Sequence, residues 1–289
     1  MNQKNNVANF LVIANKRCGS SWLNYNLADH PEVFMTKSKG VHFFDNNYEK
    51  GIPFYAEYFC GANNEKCLGE TEHSYFWHDK VPERIFMTLG VIPMILSLRQ
   101  PVERAYSHFQ LIRRNRPQGD FSYDFETSFR AAMEAASAEV TWGFYGQQLK
   151  KYLEWFPIET FYIIKFEQIG DEPIETIQGA YRFLGVDPRF TSLRISNVNT
   201  PATNVPQGTN RLVNKILYTS RPARMSRKVL RKIGFRNIKD YRRFSPPPLD
   251  VSLKKKLTAE FFDDDIRLLM GLTDMDFSSW LSDSMGIVA

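Results

Sequence analysis

A chain of 289 residues that is 43% hydrophobic, 14% aromatic and 24% charged has an ordinary globular composition, which excludes intrinsic disorder, collagen-like repeats and coiled coil. At this length roughly 75% of the unfolded chain's surface can be buried, so neither disulfides nor metals are needed to hold a core. The net charge of +5 is unevenly spread: Arg211 to Arg243 holds twelve Lys or Arg and one acid, Asp240, so the remainder is net negative. Such a stretch points to an anionic contact (a nucleotide, a sulfated or phosphorylated substrate, nucleic acid or a membrane surface) or to a solvated basic face.

In chain order, Phe10 to Ala14 is a continuous apolar run ended by Asn15-Lys16-Arg17, the pattern of a parallel strand buried on both faces. A polar loop through Ser21 follows, and Trp22 to Asp29 reads as a helix stopped by His30-Pro31. Lys66 to Glu70 is a second, short strand, and Val81 to Leu89 a helix with Pro82 in its first turn. Val91 to Leu98 is the next strand, ended by Arg99-Gln100-Pro101, and Val102 to Arg114 the next helix. Beyond a polar loop, Asn115 to Asp120, helices are predicted over 124–137 and 143–156, then a strand from Phe161 to Phe166 and a helix over 173–184 ended by Gly185. These alternations predict an α/β fold, a mostly parallel central sheet flanked by helices, with a P-loop-like phosphate-binding loop after the first strand. No linker splits the chain, so one domain over 1–289 is expected, in which 195–289 forms a basic, mostly helical cap closing with an amphipathic helix from Leu253 to Leu272.

No apolar run approaches the ~20 residues of a membrane span. Met1 to Asn6 leads into a short apolar run without a signal-peptide core, so the expected location is cytoplasmic. Cys60 and Cys67 lie seven apart and can pair in principle, but in a cytosol they are expected as reduced thiols. The five histidines (His30, His42, His73, His78, His108) show no zinc-ligand spacing, and no metal site is predicted.

Lys16-Arg17-Cys18-Gly19-Ser20-Ser21-Trp22 lies between a buried strand and a helix, where the first N–H groups of the helix lack partners and the macrodipole is positive. Gly19 lets the backbone approach a ligand, Ser20 and Ser21 add hydroxyl donors, and the two cations favour a phosphate-like anion. A serine cap after a basic turn is the plain alternative. The Walker pattern G-x-x-x-x-G-K-[ST] is absent, because its first Gly is missing and the cations precede Gly19. Arg99 ends a strand where a phosphotransferase would need an acid to hold magnesium. Together these features favour an anionic nucleotide bound without metal over a nucleotide kinase. Ser107, two turns into the following helix, can face the same crevice as Arg99.

Three segments resemble the sulfotransferases that use 3′-phosphoadenosine 5′-phosphosulfate (PAPS), especially bacterial members and the heparan-sulfate type. Arg17 to Trp22 is similar to the family's 5′-phosphosulfate loop, basic-x-Gly-Thr-Thr-Trp, with Ser for both Thr. Leu98 to His108 is similar to its 3′-phosphate motif, an Arg followed eight residues later by a Ser. Val41-His42-Phe43-Phe44-Asp45, followed by Gly51 to Tyr58, is similar to the catalytic segment of heparan-sulfate-type members; Gly69-Glu70 before Tyr75-Phe76 and the run Phe261 to Trp280 also fit. The resemblance implies transfer of a sulfuryl group from PAPS to a hydroxyl or amine of an unidentified acceptor (a saccharide, a lipid or a small metabolite), leaving adenosine 3′,5′-bisphosphate, with no metal. It implies donor binding by Lys16, Arg17, Cys18, Gly19, Ser20, Ser21, Trp22, Arg99 and Ser107, with Arg211 from the basic stretch added to them.

The chain departs from that pattern at two positions. Gly40 stands where heparan-sulfate-type members carry a Glu that acts as general base, and Thr71 replaces a Lys that commonly follows the Glu of the Gly-Glu segment. Sulfuryl transfer still requires a proton acceptor and a cation against the charge building on the bridging oxygen. Candidate bases are His42, Glu70, Glu72 and His73, with His42 first because an imidazole can be neutral at pH 7, and Glu70 second. Lys16 or Arg17 would stabilise the leaving phosphate. The alternatives are a P-loop nucleotide kinase and a non-catalytic anion- or nucleic-acid-binding module, although no nucleic acid is expected. Within 211–243, Arg221, Arg224, Arg227, Lys228, Arg231 and Lys232 recur at helical spacing around Met225, Val229, Leu230 and Ile233. That pattern suits a lid, a peripheral contact with anionic membrane, or a solvated face.

Overall fold

The computed structural model describes residues 7–37, 40–115, 124–192, 194–195 and 247–283. The elements below belong to one compact unit, built from the chain up to residue 198 and from 248 onward. The basic stretch 211–243, with Arg211 and the patterned helix, lies outside the described residues.

Five strands, β1 (Phe10–Ile13), β2 (Val33–Met35), β3 (Cys67–Glu72), β4 (Met94–Leu98) and β5 (Phe161–Lys165), form one sheet in the order β2-β3-β1-β4-β5. Every pairing is parallel. The continuous apolar run of β1 is explained by its central place. Leu11 and Ile13 enter the core on one face of the sheet while Phe10, Val12 and Ala14 enter the core on the other. Phe10 pairs in register with Gly69, and any side chain at 69 would run into the Phe10 ring, so β3 carries a glycine at that point.

Helix α1 (Ser20–Asp29) contributes Trp22, Leu23 and Leu27 to the second core, which also holds Ile177, Tyr181 and Leu184 of a later helix. On the opposite face lie α2 (Phe43–Asn46), α3 (Gly51–Ala56), α4 (Val81–Leu89), α5 (Pro101–Asn115), α6 (Phe125–Glu134), α7 (Ala138–Thr141) and α8 (Tyr145–Leu153). The chain then forms α9 (Phe166–Asp171) and α10 (Pro173–Leu184), the latter ended by left-handed Gly185 as its C-cap. Near the C-terminus α11 (Val251–Phe261) and α12 (Asp263–Thr273) complete the first core.

One strand was not expected and three expectations change. The three-residue β2 is too short to stand out as an apolar run. The second expected strand extends to Glu72. The helix expected over 124–137 is α6, which stops at Glu134 before Ala136 at φ 48°, and the short α7 begins beyond the expected range. The single helix expected over Leu253–Leu272 is two, because Phe262 leaves helical geometry at φ −126° and its ring is wholly buried. Cys60 and Cys67 are free thiols, the first exposed and the second buried. Among the described residues no helix is long and apolar enough to cross a membrane.

Candidate active site

In this strand order the chain leaves β1 toward β3 and β2 on one side and returns through β4 on the other, so the topology reverses between β1 and β4. Ligands of open α/β sheets bind outside the carboxyl ends of the strands at such a reversal. The two phosphate-binding motifs read from the sequence are the loops that leave β1 and β4 there. Arg17 Nε donates to Ser107 Oγ at 2.8 Å, which brings the motifs into direct contact.

Buried hydrogen bonds fix the loops after β1 and β4. Ser97 Oγ donates to the Cys18 carbonyl, and Tyr145, wholly buried, donates to the Arg99 carbonyl at 2.8 Å. Asn15, also wholly buried, donates from Nδ2 to the Trp142 carbonyl at 2.7 Å. Gly19 is the N-cap of α1 at φ 86°, and a Cβ there would run into the Ile169 side chain. As a glycine, the N-cap of α1 offers no side-chain cap, and a helix N-terminus attracts anions. The Arg99 guanidinium lies 4.4 Å above the Phe166 ring and 3.7 Å from Glu103, and its buried Nε has no hydrogen-bond partner. An uncapped helix end, the Arg17–Ser107 pair and an unsatisfied arginine N–H fit a phosphate-bearing ligand. Burial pushes the Cys18 thiol up to about 11 against the pull of Arg104, so it is a neutral filler of the loop. Ser20 is buried and Ser21 exposed. Trp22 is committed to packing, with its Nε1 donating to the Ile195 carbonyl at 3.1 Å.

Beside this loop opens a cleft of about 380 Å³ whose lining includes Lys16, His42, Asp45, Glu72, Trp77 and Trp142. Trp77 and Trp142 stack with centroids 5.5 Å apart and planes 26° apart, and Lys16 Nζ lies 5.2 Å from the Trp142 ring centre. His42 adopts a left-handed conformation at φ 53° as the N-cap of α2, which turns its ring toward the carboxyl end of β3. Its Nδ1 lies 2.9 Å from Asp45 Oδ2 and 3.5 Å from Glu72 Oε2. The Ser74 hydroxyl sits within hydrogen-bond reach of both carboxylates. Burial raises the Asp45 carboxyl, but hydrogen bonds from Ser74 and His42 outweigh that and hold it below its ordinary value. A ring that donates Nδ1–H to Asp45 and is otherwise unprotonated carries its lone pair at Nε2. One ligand atom each from His42, Asp45 and Glu72 falls within 4.8 Å of the others, a proximity that histidine spacing did not predict.

A family signature described as "Sulfotransferase domain" matches residues 8–233, most of the chain. The chain belongs to the sulfotransferase family. Its relatives include mouse "Heparan sulfate glucosamine 3-O-sulfotransferase 5", 29% identical over 195 residues, which are 64% of this chain and 55% of that one. Dictyostelium discoideum "Membrane-associated sulfotransferase kil1" is 35% identical over 124 residues, 40% of this chain and 26% of that one. This family member thus spans little more than half the length of the first of these relatives. Among solved structures, a sulfotransferase from Alicyclobacillus acidocaldarius shares the fold at a TM-score of 0.67 and 21% identity, covering 95% of this chain and 99% of that one. The family's enzymes are PAPS-dependent, in accord with the anionic nucleotide expected from the loop.

The structure thus brings Lys16, Arg17, Gly19, Arg99 and Ser107 to one reversal point, with His42 lining the same cleft as Lys16. It separates Glu70 from them. Glu70 and Glu72 share a face of β3, but Glu70 lies a layer deeper, wholly buried, where Oε1 accepts from Tyr55 at 2.8 Å and Tyr75 at 3.0 Å. Burial drives its carboxyl up to about 8, despite those two hydrogen bonds. His73 Nδ1 donates to the Ala14 carbonyl, 3.0 Å away, and so joins the ends of β3 and β1. Sequence reasoning did not find Trp142, which is held against the β1 loop from 127 residues away and carries no local signal.

Proposed function

We propose that this chain transfers the sulfuryl group of PAPS to a hydroxyl or amine of an acceptor seated in the cleft, with His42 as the proton acceptor. What supports this most is the Arg17–Ser107 contact, which unites two donor-binding motifs beside a cleft that holds an imidazole with an available Nε2. The uncapped end of α1 and Arg17 receive the 5′-phosphosulfate, and Arg99 with Ser107 receives the 3′-phosphate. Lys16 lines both the loop and the cleft, which suits it to offset charge on the departing phosphate oxygen. His42 Nε2 takes the acceptor proton while its Nδ1–H stays with Asp45. Stacked Trp77 and Trp142 offer the acceptor a flat apolar wall, suited to the face of a sugar or an aryl ring.

Incubating the protein with radiolabelled PAPS and pools of saccharides, lipids and small metabolites tests the reading. Wild type should move label to an acceptor, and His42→Ala should lower turnover by roughly 10²–10⁴-fold with nucleotide affinity intact. An unchanged rate in His42→Ala would refute the assignment of the base.

A further inference from the structure

The family pattern places a catalytic Glu at position 40, and this chain has Gly40 at φ 80°. A Cβ added there would lie 3.2 Å from His42 Nε2 and 3.4 Å from Glu72 Oε2. The ground that a longer side chain at 40 would enter is therefore bounded by the imidazole and by the carboxylate of Glu72, which arrives from the carboxyl end of β3. Glu72 is 1% exposed. Its Oε1 accepts from His73 N at 2.7 Å and Ser74 N at 3.2 Å, and the Ser74 hydroxyl, whose one proton is shared with Asp45, lies 2.9 Å away. Its Oε2, equally buried, has no hydrogen-bond partner and faces His42 Nδ1 at 3.5 Å. One oxygen thus anchors the carboxylate while the other brings negative charge to the ring.

We propose that Glu72 is a positioning residue for sulfuryl transfer, supplying through His42 the negative charge that the family pattern carries at position 40. The inference rests on the reading of His42 as proton acceptor. As the acceptor oxygen bonds to sulfur and the bond from sulfur to the bridging phosphate oxygen breaks, the acceptor's proton passes to His42 Nε2. The resulting imidazolium keeps Nδ1–H on Asp45, and Glu72 Oε2 offsets the new charge from the adjacent strand. Covered as it is, Oε2 does not meet the acceptor itself. The other groups around the cleft, Lys16 from the β1 loop and His73 and His78 beyond β3, bring no further carboxylate to the ring.

Glu72→Gln and Glu72→Asp separate charge from architecture. Gln keeps a carbonyl oxygen for His73 and Ser74 and removes the charge, with its amide N–H₂ in the place of Oε2; Asp keeps the charge and shortens the anchor. Label transfer from PAPS to the same acceptor pools should fall by about 10- to 100-fold in Glu72→Gln, less than for loss of the base itself. Glu72→Asp should retain more turnover than Glu72→Gln, while calorimetry gives both the wild-type affinity for adenosine 3′,5′-bisphosphate. A merely structural Glu72 gives the reverse order, Gln above Asp, and that order overturns the proposal. Full activity in Glu72→Gln beside an inactive His42→Ala overturns it while leaving the base in place. A wild-type protein that transfers no label, or an active His42→Ala, overturns the underlying reading and this one with it.

Discussion

Replacing Glu70 by Gln offers a measurement that depends on no knowledge of the acceptor. The carboxyl is wholly buried among aromatic side chains, and burial displaces it from 4.5 to about 8. The folded chain therefore holds its proton through a range in which the unfolded chain has lost it. Stability from this group is complete below about pH 4.5 and is lost as pH rises toward 8. At 1.36 kcal/mol per pH unit the whole displacement corresponds to roughly 5 kcal/mol, most of it between pH 5 and 8. Gln keeps the oxygen that accepts from Tyr55 and Tyr75 and cannot ionise, although its amide N–H₂ enters a place where Oε2 has no partner. Urea unfolding at pH 5, 6, 7 and 8 in both proteins should show wild type losing several kcal/mol relative to Glu70→Gln as pH rises, other titrations cancelling in the difference. A difference that stays flat across that range would mean that Glu70 is ionised in the fold. A flat difference together with lost sulfuryl transfer in Glu70→Gln would move the base from His42 to Glu70.

Two further outcomes follow from the site. Arg99→Ala should weaken adenosine 3′,5′-bisphosphate by about 1.5–3 kcal/mol, or roughly ten- to 150-fold, and leave AMP nearly unaffected in calorimetry; equal losses for both nucleotides would remove Arg99 from the 3′-phosphate. Trp142→Ala, which strips a buried ring from the cleft wall, should lower unfolding stability by about 3–5 kcal/mol and change nucleotide affinity by no more than about twofold. No loss of stability would contradict the packing of that ring against Trp77.

The parts of the fold legible in the sequence are those written in local patterns. Phe10 to Ala14 announces a central strand because both of its faces are buried, and Gly185 marks a helix end because only a left-handed residue fits there. Arg99 and Ser107 could be assigned to one crevice because strand-end and helix spacing are local geometry. The choice between Glu70 and Glu72 was not legible. Both lie on one face of β3, and what seals the first and leaves the second beside the cleft is the cover of Tyr55 and Tyr75. Trp142 was hidden for the same reason, since its place in the wall depends on a contact with Asn15 that no periodicity encodes.

That contact sets a condition on how this site can diverge. Asn15 immediately precedes Lys16, and its amide grips the backbone of Trp142 rather than the ring. The starting point of the donor loop and the wall proposed for the acceptor are therefore two ends of one clamp. Shifting the α7–α8 connection by more than about an ångström would stretch a 2.7 Å bond past its useful length and loosen the loop as well. New acceptor preferences are thus cheapest to reach by exchanging rings at positions 77 and 142 on a fixed backbone. Insertions between α7 and α8 would alter acceptor and donor binding together.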